Sequence, residues 1–368
     1  MRTVVVTDGR YRSSLAAVRA LGDAGDRVVV TQTRAESAQE PAAFLSRCTW
    51  QGQWIDGSCK DEAYADRLLA LLGTLDRPVL FCTGADTLAA VSRRRAEFAA
   101  VADFLVAPPE VLDALNDKQQ VHERARALGI PVPEEFSGLP DRFPVVIKPH
   151  CGEKAGLKAR DRYTIAHDAD EFRTKYAAMQ RWDDAPIVQE QVAGPGEGID
   201  LLLGRDSVLL CALCHRRIRE YPVTGGPSTC CVSFYDEELI AAAHRLLASF
   251  GFVGMAMVEL KGGRVLEVNP RVWGSFPLTD RCGSPYTVLY ARAAAGEPVE
   301  YTPRDFRTGV KLRFLFNDGL ATLGYCRAGR LREALGGVRD FFTVPEVLRR
   351  RDDMRAYRAY LKNSLKGR

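Results

Sequence analysis

Apolar and polar positions divide the chain into two regimes. Thr3–Asp8 is a β-branched run, and Ser13–Ala24 carries Leu15, Val18 and Leu21 at helical spacing. Arg27–Gln32 reads as a second strand, Asp61–Leu72 as a helix, and Pro78–Thr83 as a buried strand. Ala85–Ala100 reads as a helix and Phe104–Ala107 as a short strand, before Pro108-Pro109 breaks the chain. Strands alternating with helices predict a parallel sheet.

After the break the pattern changes. Asn116-Asp117-Lys118 opens a helix that runs to Gly129, with Asn116 or Asp117 as its cap. Strands are expected at Phe143–Pro149, Leu157–Ile165, Pro186–Val192, Gly198–Leu203, Ser207–Arg219, Gly254–Leu260 and Arg264–Asn269. Helices intervene at Asp168–Gln180 and Glu237–Phe250, and Gly309–Phe316 is a last strand before further helices. More strands than helices predict a mixed α+β region with antiparallel sheets.

The segment 257–271 is the most informative. Gly262-Gly263 marks a hairpin turn. With an odd number of loop residues, Val258, Leu260, Leu266 and Val268 share one face, and Glu259, Glu267 and Asn269 the other. An even loop would push a carboxylate into the apolar layer at a cost of several kcal/mol. The odd register therefore places two carboxylates and an amide oxygen on one surface, with no cation between them. Oxygen-only ligands suit Mg²⁺. Two solvated glutamates on an open sheet are the bland alternative.

Composition sharpens the picture through its cations. Of 51 basic residues ten are lysine, and Lys148, Lys154 and Lys158 fall within eleven positions. Lys148 ends an apolar strand on the face of Val146, where a lysine needs an anion. The stretch 150–158 has two glycines and two more lysines, suited to phosphate oxygens. An exposed loop is the alternative for Lys154 and Lys158. No G-x-x-x-x-G-K-[ST] is present, nor a G-x-G-x-x-G after the first strand, which argues against a Walker loop and a nicotinamide enzyme.

The 368 residues suffice for two to three domains with real cores. Net charge is +4, with +6 in residues 347–368 and −2 elsewhere, so the main domains carry no nucleic-acid footprint. The basic tail reads as a solvated helix end, or as contact with an anionic membrane surface. No run is apolar enough to cross a membrane. Met1–Thr7 enters a strand without a signal-peptide pattern, and the ten cysteines predict reduced thiols in a cytoplasmic protein. Cys211, Cys214 and His215 match the spacing of haem attachment, and Cys230 with Cys231 could extend a zinc set. Buried small hydrophobes are the expected reading of these cysteines.

Taken together, residues 1–305 resemble the ATP-grasp superfamily. Asp117-Lys118 and Lys148-Pro149 match its two phosphate-contacting lysines, and the 150–158 stretch lies where the family has its phosphate lid. Val188-Gln189-Glu190-Gln191-Val192 looks like the hinge. The resemblance implies that Glu190 and the Val192 backbone hold adenine, that Glu197 holds ribose, and that Lys118, Lys148, Lys154 and Lys158 contact phosphates. It makes Glu259, Glu267 and Asn269 the ligands of magnesium, two ions being expected, and sets Arg271 facing the transferred phosphate. More narrowly, His215 to Pro222, Thr224 to Ser228 and Asn269 to Ser275 are similar to predicted ATP-dependent carboligases related to the carbamoyl-phosphate synthase large chain.

The fold implied is α/β and α+β. A Rossmann-like parallel domain at 1–107 precedes a small lobe with its lid at 108–192. A large lobe with the magnesium site follows at 193–305, then a C-terminal strand and basic helices at 306–368. The two lobes clasp ATP, and a homodimer is a family-level expectation. The activity implied is an ADP-forming carboxylate–amine ligase working through an acyl phosphate, with Arg271, Lys148 and Asn269 catalytic. Alternation puts His215, Arg217 and Arg219 on one strand face, where Arg217 or Arg219 would grip the acceptor carboxylate. Gly225, Gly226 and Ser228 lie in a loop that could close over the intermediate. A solvated edge strand is the alternative. Gly9 and Ser13-Ser14 read as an anion site or an ordinary helix start. A carboxyphosphate-type carboligase and a catalytically silent ATP-binding module are the competing functions.

Overall fold

A computed structural model describes residues 1–151, 157, 161–223 and 226–366. Four strands, β1 (Thr3–Val6), β2 (Arg27–Thr33), β3 (Thr49–Ile55) and β4 (Val79–Phe81), form a parallel sheet in the order β3-β2-β1-β4. The edge strand β3 was not expected. Its Trp50, Gln51 and Gly52 are exposed, so it lacks the apolar alternation that would betray it. No strand forms at 104–107; only Asp103 bridges to Val79. The single helix expected at 85–100 is two, Ala85–Arg93 and Arg95–Val101. They break at Arg94, which pairs with Asp66 and Glu97.

The small lobe is built on β5 (Val145–Lys148), β6 (Thr164–Ala166) and β7 (Ile187–Glu190), antiparallel in the order β6-β5-β7. Val145, Ile147 and Val188 pack with Phe172 and Met179 of the helix Ala169–Met179. Val146 and Lys148 thereby take the opposite face.

The large lobe is a six-stranded antiparallel sheet of β8 (Gly196–Leu203), β9 (Leu209–Glu220), β10 (Ser228–Phe234), β11 (Gly254–Lys261), β12 (Arg264–Asn269) and β13 (Lys311–Arg313). The order is β12-β11-β8-β9-β10-β13. Strand β10 is not among the expected strands; only its first residue, Ser228, falls in the segment read as a loop. The strand is held between β9 and β13. One sheet face (Ile199, Leu201, Val258, Leu260) packs on Ile240, Leu246 and Leu247 of the helix Glu237–Ala248. The other (Leu202, Leu213, Met255, Met257) joins Trp273, Phe276 and the Val4 and Val6 side of the parallel sheet in one core. That second face turns polar beyond Met257, and the candidate site lies there.

The C-terminal segment is structural. Arg219 is 2% exposed, with Nε 2.7 Å from Asp318 and Nη1 3.0 Å from Asp340. These carboxylates belong to the helices Leu315–Arg327 and Leu331–Thr343. The basic tail is docked rather than solvated. Asp353 accepts from Arg19 at 2.8 Å and from Ser46 at 2.7 Å, Arg350 pairs with Asp23, and Ala356 is fully buried. Among the described residues no helix is long and apolar enough to cross a membrane.

Candidate functional site

The hairpin β11–β12 places both carboxylates as expected, but by another route. Lys261 pairs with Arg264 across a two-residue turn, Gly262-Gly263, with both glycines at positive φ. Such an even turn alone would set Glu259 opposite Leu266. A bulge then shifts the register, so that Glu259 pairs with Glu267 and Met257 with Asn269. Val265, not Leu266, therefore joins the apolar layer. Leu266 is the bulged residue, and its carbonyl accepts from Lys148 Nζ at 3.3 Å and His122 Nε2 at 3.0 Å.

Neither carboxylate stands without a cation, contrary to expectation. Lys118 Nζ is 3.3 Å from Glu267 Oε2, and Arg217 Nη2 is 2.6 Å from Glu259 Oε2. Asn269 Nδ2 donates to Glu267 at 3.3 Å, and Arg271 Nη2 donates to Asn269 Oδ1 at 3.1 Å. Burial would raise the Glu267 carboxyl. The charges of Lys118 and Lys148 and the hydrogen bonds from Lys118 and Asn269 outweigh it and hold that carboxyl below its ordinary range. Lys148 is 6% exposed, and its ammonium is pushed down to about 8, by burial first and by Lys118 second.

The lysines are set by local structure. Asp117 caps the helix Lys118–Ala127, its carboxylate accepting from the amides of Gln119 and Gln120. Lys118 Nζ also donates to His150 O at 3.4 Å, so the helix start holds the root of the 150–158 stretch. Lys154 and Lys158 lie outside the described residues.

At the end of β7, in the segment expected as the hinge, Glu190 Oε1 accepts from Glu134 N at 3.0 Å and lies 3.2 Å from Arg264 Nε. With Arg126, Glu134, Glu135 and Arg264 it lines a groove of about 750 Å³. Val192 is buried against the Gly262 turn. Gln189 pairs with Val146, so it shares the face of Lys148. It is 4% exposed, and its amide oxygen has no partner among the described residues. Glu197 pairs with Arg216 at 2.8 Å. It alternates with Gly196 and Gly198, so it points away from the face of Glu259.

On the substrate side the expected trio separates. His215, Arg217 and Arg219 do share a face, but Arg219 is committed to Asp318 and Asp340 and cannot grip an acid. His215 is 1% exposed, between Asp200 Oδ2 at 2.9 Å and Ser275 Oγ at 3.0 Å. Gly198 makes room for it, since a Cβ there would lie 2.2 Å from the ring. Arg217 alone reaches the carboxylates, passing over Gly196. Gly226 O accepts from Arg217 Nη1 at 3.4 Å, Ser228 begins β10, and Gly225 lies outside the described residues.

The N-terminal anion site does not form. The Ser14 hydroxyl is used by Asp8 O and Thr83, and the buried Asp8 carboxylate stands at the same turn. Cys211, Cys214 and Cys230 are buried, their thiols pushed up to about 12 by desolvation.

The residues missed from sequence are His122, Glu135 and Gln189. His122 is fully buried, with Nδ1 2.5 Å from Glu135 Oε1, and it braces the Leu266 carbonyl under Lys148. A histidine four positions after Lys118 on one helix was the available signal.

Two paired carboxylates and an amide give an all-oxygen donor set of the kind that suits magnesium. Among the described residues no group of three or more His, Cys, Asp or Glu is placed to hold a metal ion. Residues 115–275 match the family model of the ATP-grasp domain. No curated protein matches the chain. The biotin carboxylase domain of Hydrogenobacter thermophilus 2-oxoglutarate carboxylase, solved as a dimer with MgADP, ADP and bicarbonate, is 14% identical with a TM-score of 0.63. That match covers 84% of this chain and 73% of that one. Staphylococcus aureus N5-carboxyaminoimidazole synthetase is 12% identical with a TM-score of 0.59, over 81% of this chain and 78% of its own. Phosphoribosylglycinamide synthetase from Anaerococcus prevotii is 15% identical with a TM-score of 0.57, over 84% and 79%. At these identities the likeness is one of fold.

Proposed function

Residues 115–275 are an ATP-grasp domain in a chain of ATP-grasp fold, and on that premise we propose an ADP-forming carboxylate–amine ligase. The observation that carries it is the meeting of Lys118 and Lys148 with Glu259, Glu267, Asn269 and Arg271 around the β11–β12 hairpin. Two cations, two carboxylates and an arginine are what phosphoryl transfer from a nucleotide to a carboxylate asks for.

Lys118 and Lys148 would neutralise the phosphates, joined by Lys154 and Lys158. Glu190 and the Val192 backbone would hold the base, whereas Glu197, on the opposite face and paired with Arg216, is left out of the ribose role. Glu259, Glu267 and Asn269 would hold magnesium, which when bound neutralises β- and γ-phosphate charge. Arg271 would stabilise the charge developing on the transferred phosphoryl group and on the later tetrahedral oxyanion. The acceptor carboxylate attacks the γ-phosphate, giving an acyl phosphate and ADP. The amine then displaces phosphate and leaves an amide. Arg217 would orient the acid, with Gly226 and Ser228 bordering it.

The test is ADP release across a panel of acids and amines, with Glu267→Ala as the control. Wild-type release that the variant abolishes supports the ligase. Release that needs only bicarbonate points to the carboxyphosphate reaction. Nucleotide binding without any release points to a silent module.

A further inference from the structure

Resting on the ligase reading, we infer that Arg217 is an exchangeable counter-ion: it and a divalent cation compete for Glu259, and the displaced guanidinium is what then takes the acceptor acid. Each proposed metal-ligand carboxylate already has a protein cation on it, Lys118 at 3.3 Å from Glu267 and Arg217 at 2.6 Å from Glu259. Both cations carry a second role in the proposed reaction, Lys118 on phosphate and Arg217 on the acid. Neither can serve there while it is held by a glutamate.

The two arginines of β9 differ in the property that matters. The Arg219 side chain is fully buried and fixed by two buried carboxylates on separate helices. Arg217 is 18% exposed, and its Glu259 partner 16%. Among the described residues its other contacts are long, 3.9 Å to Glu220 and 3.4 Å to Gly226 O. Its stem crosses Gly196, where no side chain blocks a swing along the sheet. The Arg217–Glu259 pair keeps an opening to solvent that the enclosed Arg219 pairs lack, and so a route for exchange. A divalent ion on Glu259 would both take its partner and repel it. Acid binding is therefore ordered after nucleotide and metal, because the acid's cation is occupied until then.

Mn²⁺ binding by electron paramagnetic resonance, with a non-hydrolysable ATP analogue present, tests this without a known acid. Arg217→Gln should tighten Mn²⁺ binding roughly three- to tenfold. Glu220→Gln removes the competing acid on the other side of Arg217, so it should weaken Mn²⁺ binding. Thermal melts check that both variants are folded. Equal or weaker Mn²⁺ affinity in folded Arg217→Gln overturns the exchange while leaving the ligase reading intact. If that variant does not fold, unchanged or tighter binding in Glu220→Gln does the same. If wild type binds neither nucleotide nor Mn²⁺, the ligase reading falls and the exchange with it.

Discussion

Lys148 Nζ lies 3.3 Å from the carbonyl oxygen of Leu266, the one residue of β12 bulged out of register with β11. The small lobe thus delivers its buried lysine onto the point where the large lobe's hairpin departs from regular pairing. His122 braces the same carbonyl from behind.

That contact has a pH signature. Burial, with Lys118 nearby, lowers the Lys148 ammonium to about 8, so the charged form is lost as pH rises through that value. The kcat/KM for ATP should fall above about pH 8 and be flat below it, whereas Lys148→Arg should carry the plateau to higher pH. The unfolded chain keeps this proton up to the ordinary lysine range, so folding stability should gain over the same window. Lys148→Met should lower turnover by about 10²–10³. Initial-rate and melting profiles between pH 6 and pH 10 check all four.

Glu346 gives the opposite sign. Burial raises its carboxyl to about 7, against hydrogen bonds from Leu348 N and Arg349 N and the charge of Arg12. The native state holds this proton after the unfolded chain has lost it, so stability should fall as pH rises through 7. Glu346→Gln should equal wild type near pH 4 and exceed it above pH 7 by up to roughly 3 kcal/mol. Urea melts at the two pH values decide it.

Arg219 should matter for folding, not for the acid. Arg219→Met would leave Asp318 and Asp340 with much of their positive charge gone. It should cost about 3–5 kcal/mol and open the 315–343 hairpin to protease. A stable Arg219→Met protein whose only defect is a raised acid KM would overturn this assignment.

Gly198→Ala should displace His215 from Asp200 and Ser275, because the new methyl would sit 2.2 Å from the ring. The expected cost is about 1–3 kcal/mol by denaturant melt. Gly196→Ala, where the nearest atom is the flexible Arg217 Cδ at 3.0 Å, should cost less.

Much of this was legible in the residues. The alternation around Gly262-Gly263 separated Glu259 and Glu267 from the apolar layer, and Asp117 declared its cap. What was not legible depends on neighbours distant in sequence. Arg217 and Arg219 look equivalent along β9. Two carboxylates about a hundred residues on, Asp318 and Asp340, bury one of them and leave the other facing Glu259. The tail looked solvated because its partners, Arg19, Asp23 and Ser46, come from the other end of the chain. Strands β3 and β10 take their order from sheet pairing rather than from a strong pattern of their own.

The Leu266 bulge has a last consequence, for insertions and deletions. Deleting Leu266 would make the pairing flush from the Gly262-Gly263 turn outward and keep Glu259 opposite Glu267, but inserting one residue between Leu266 and Glu267 beside the bulge would set Glu267 opposite Val258 on the apolar side. Every side chain named in the site could then be intact and the site still be gone. At this hairpin, chain length is under as much constraint as residue identity.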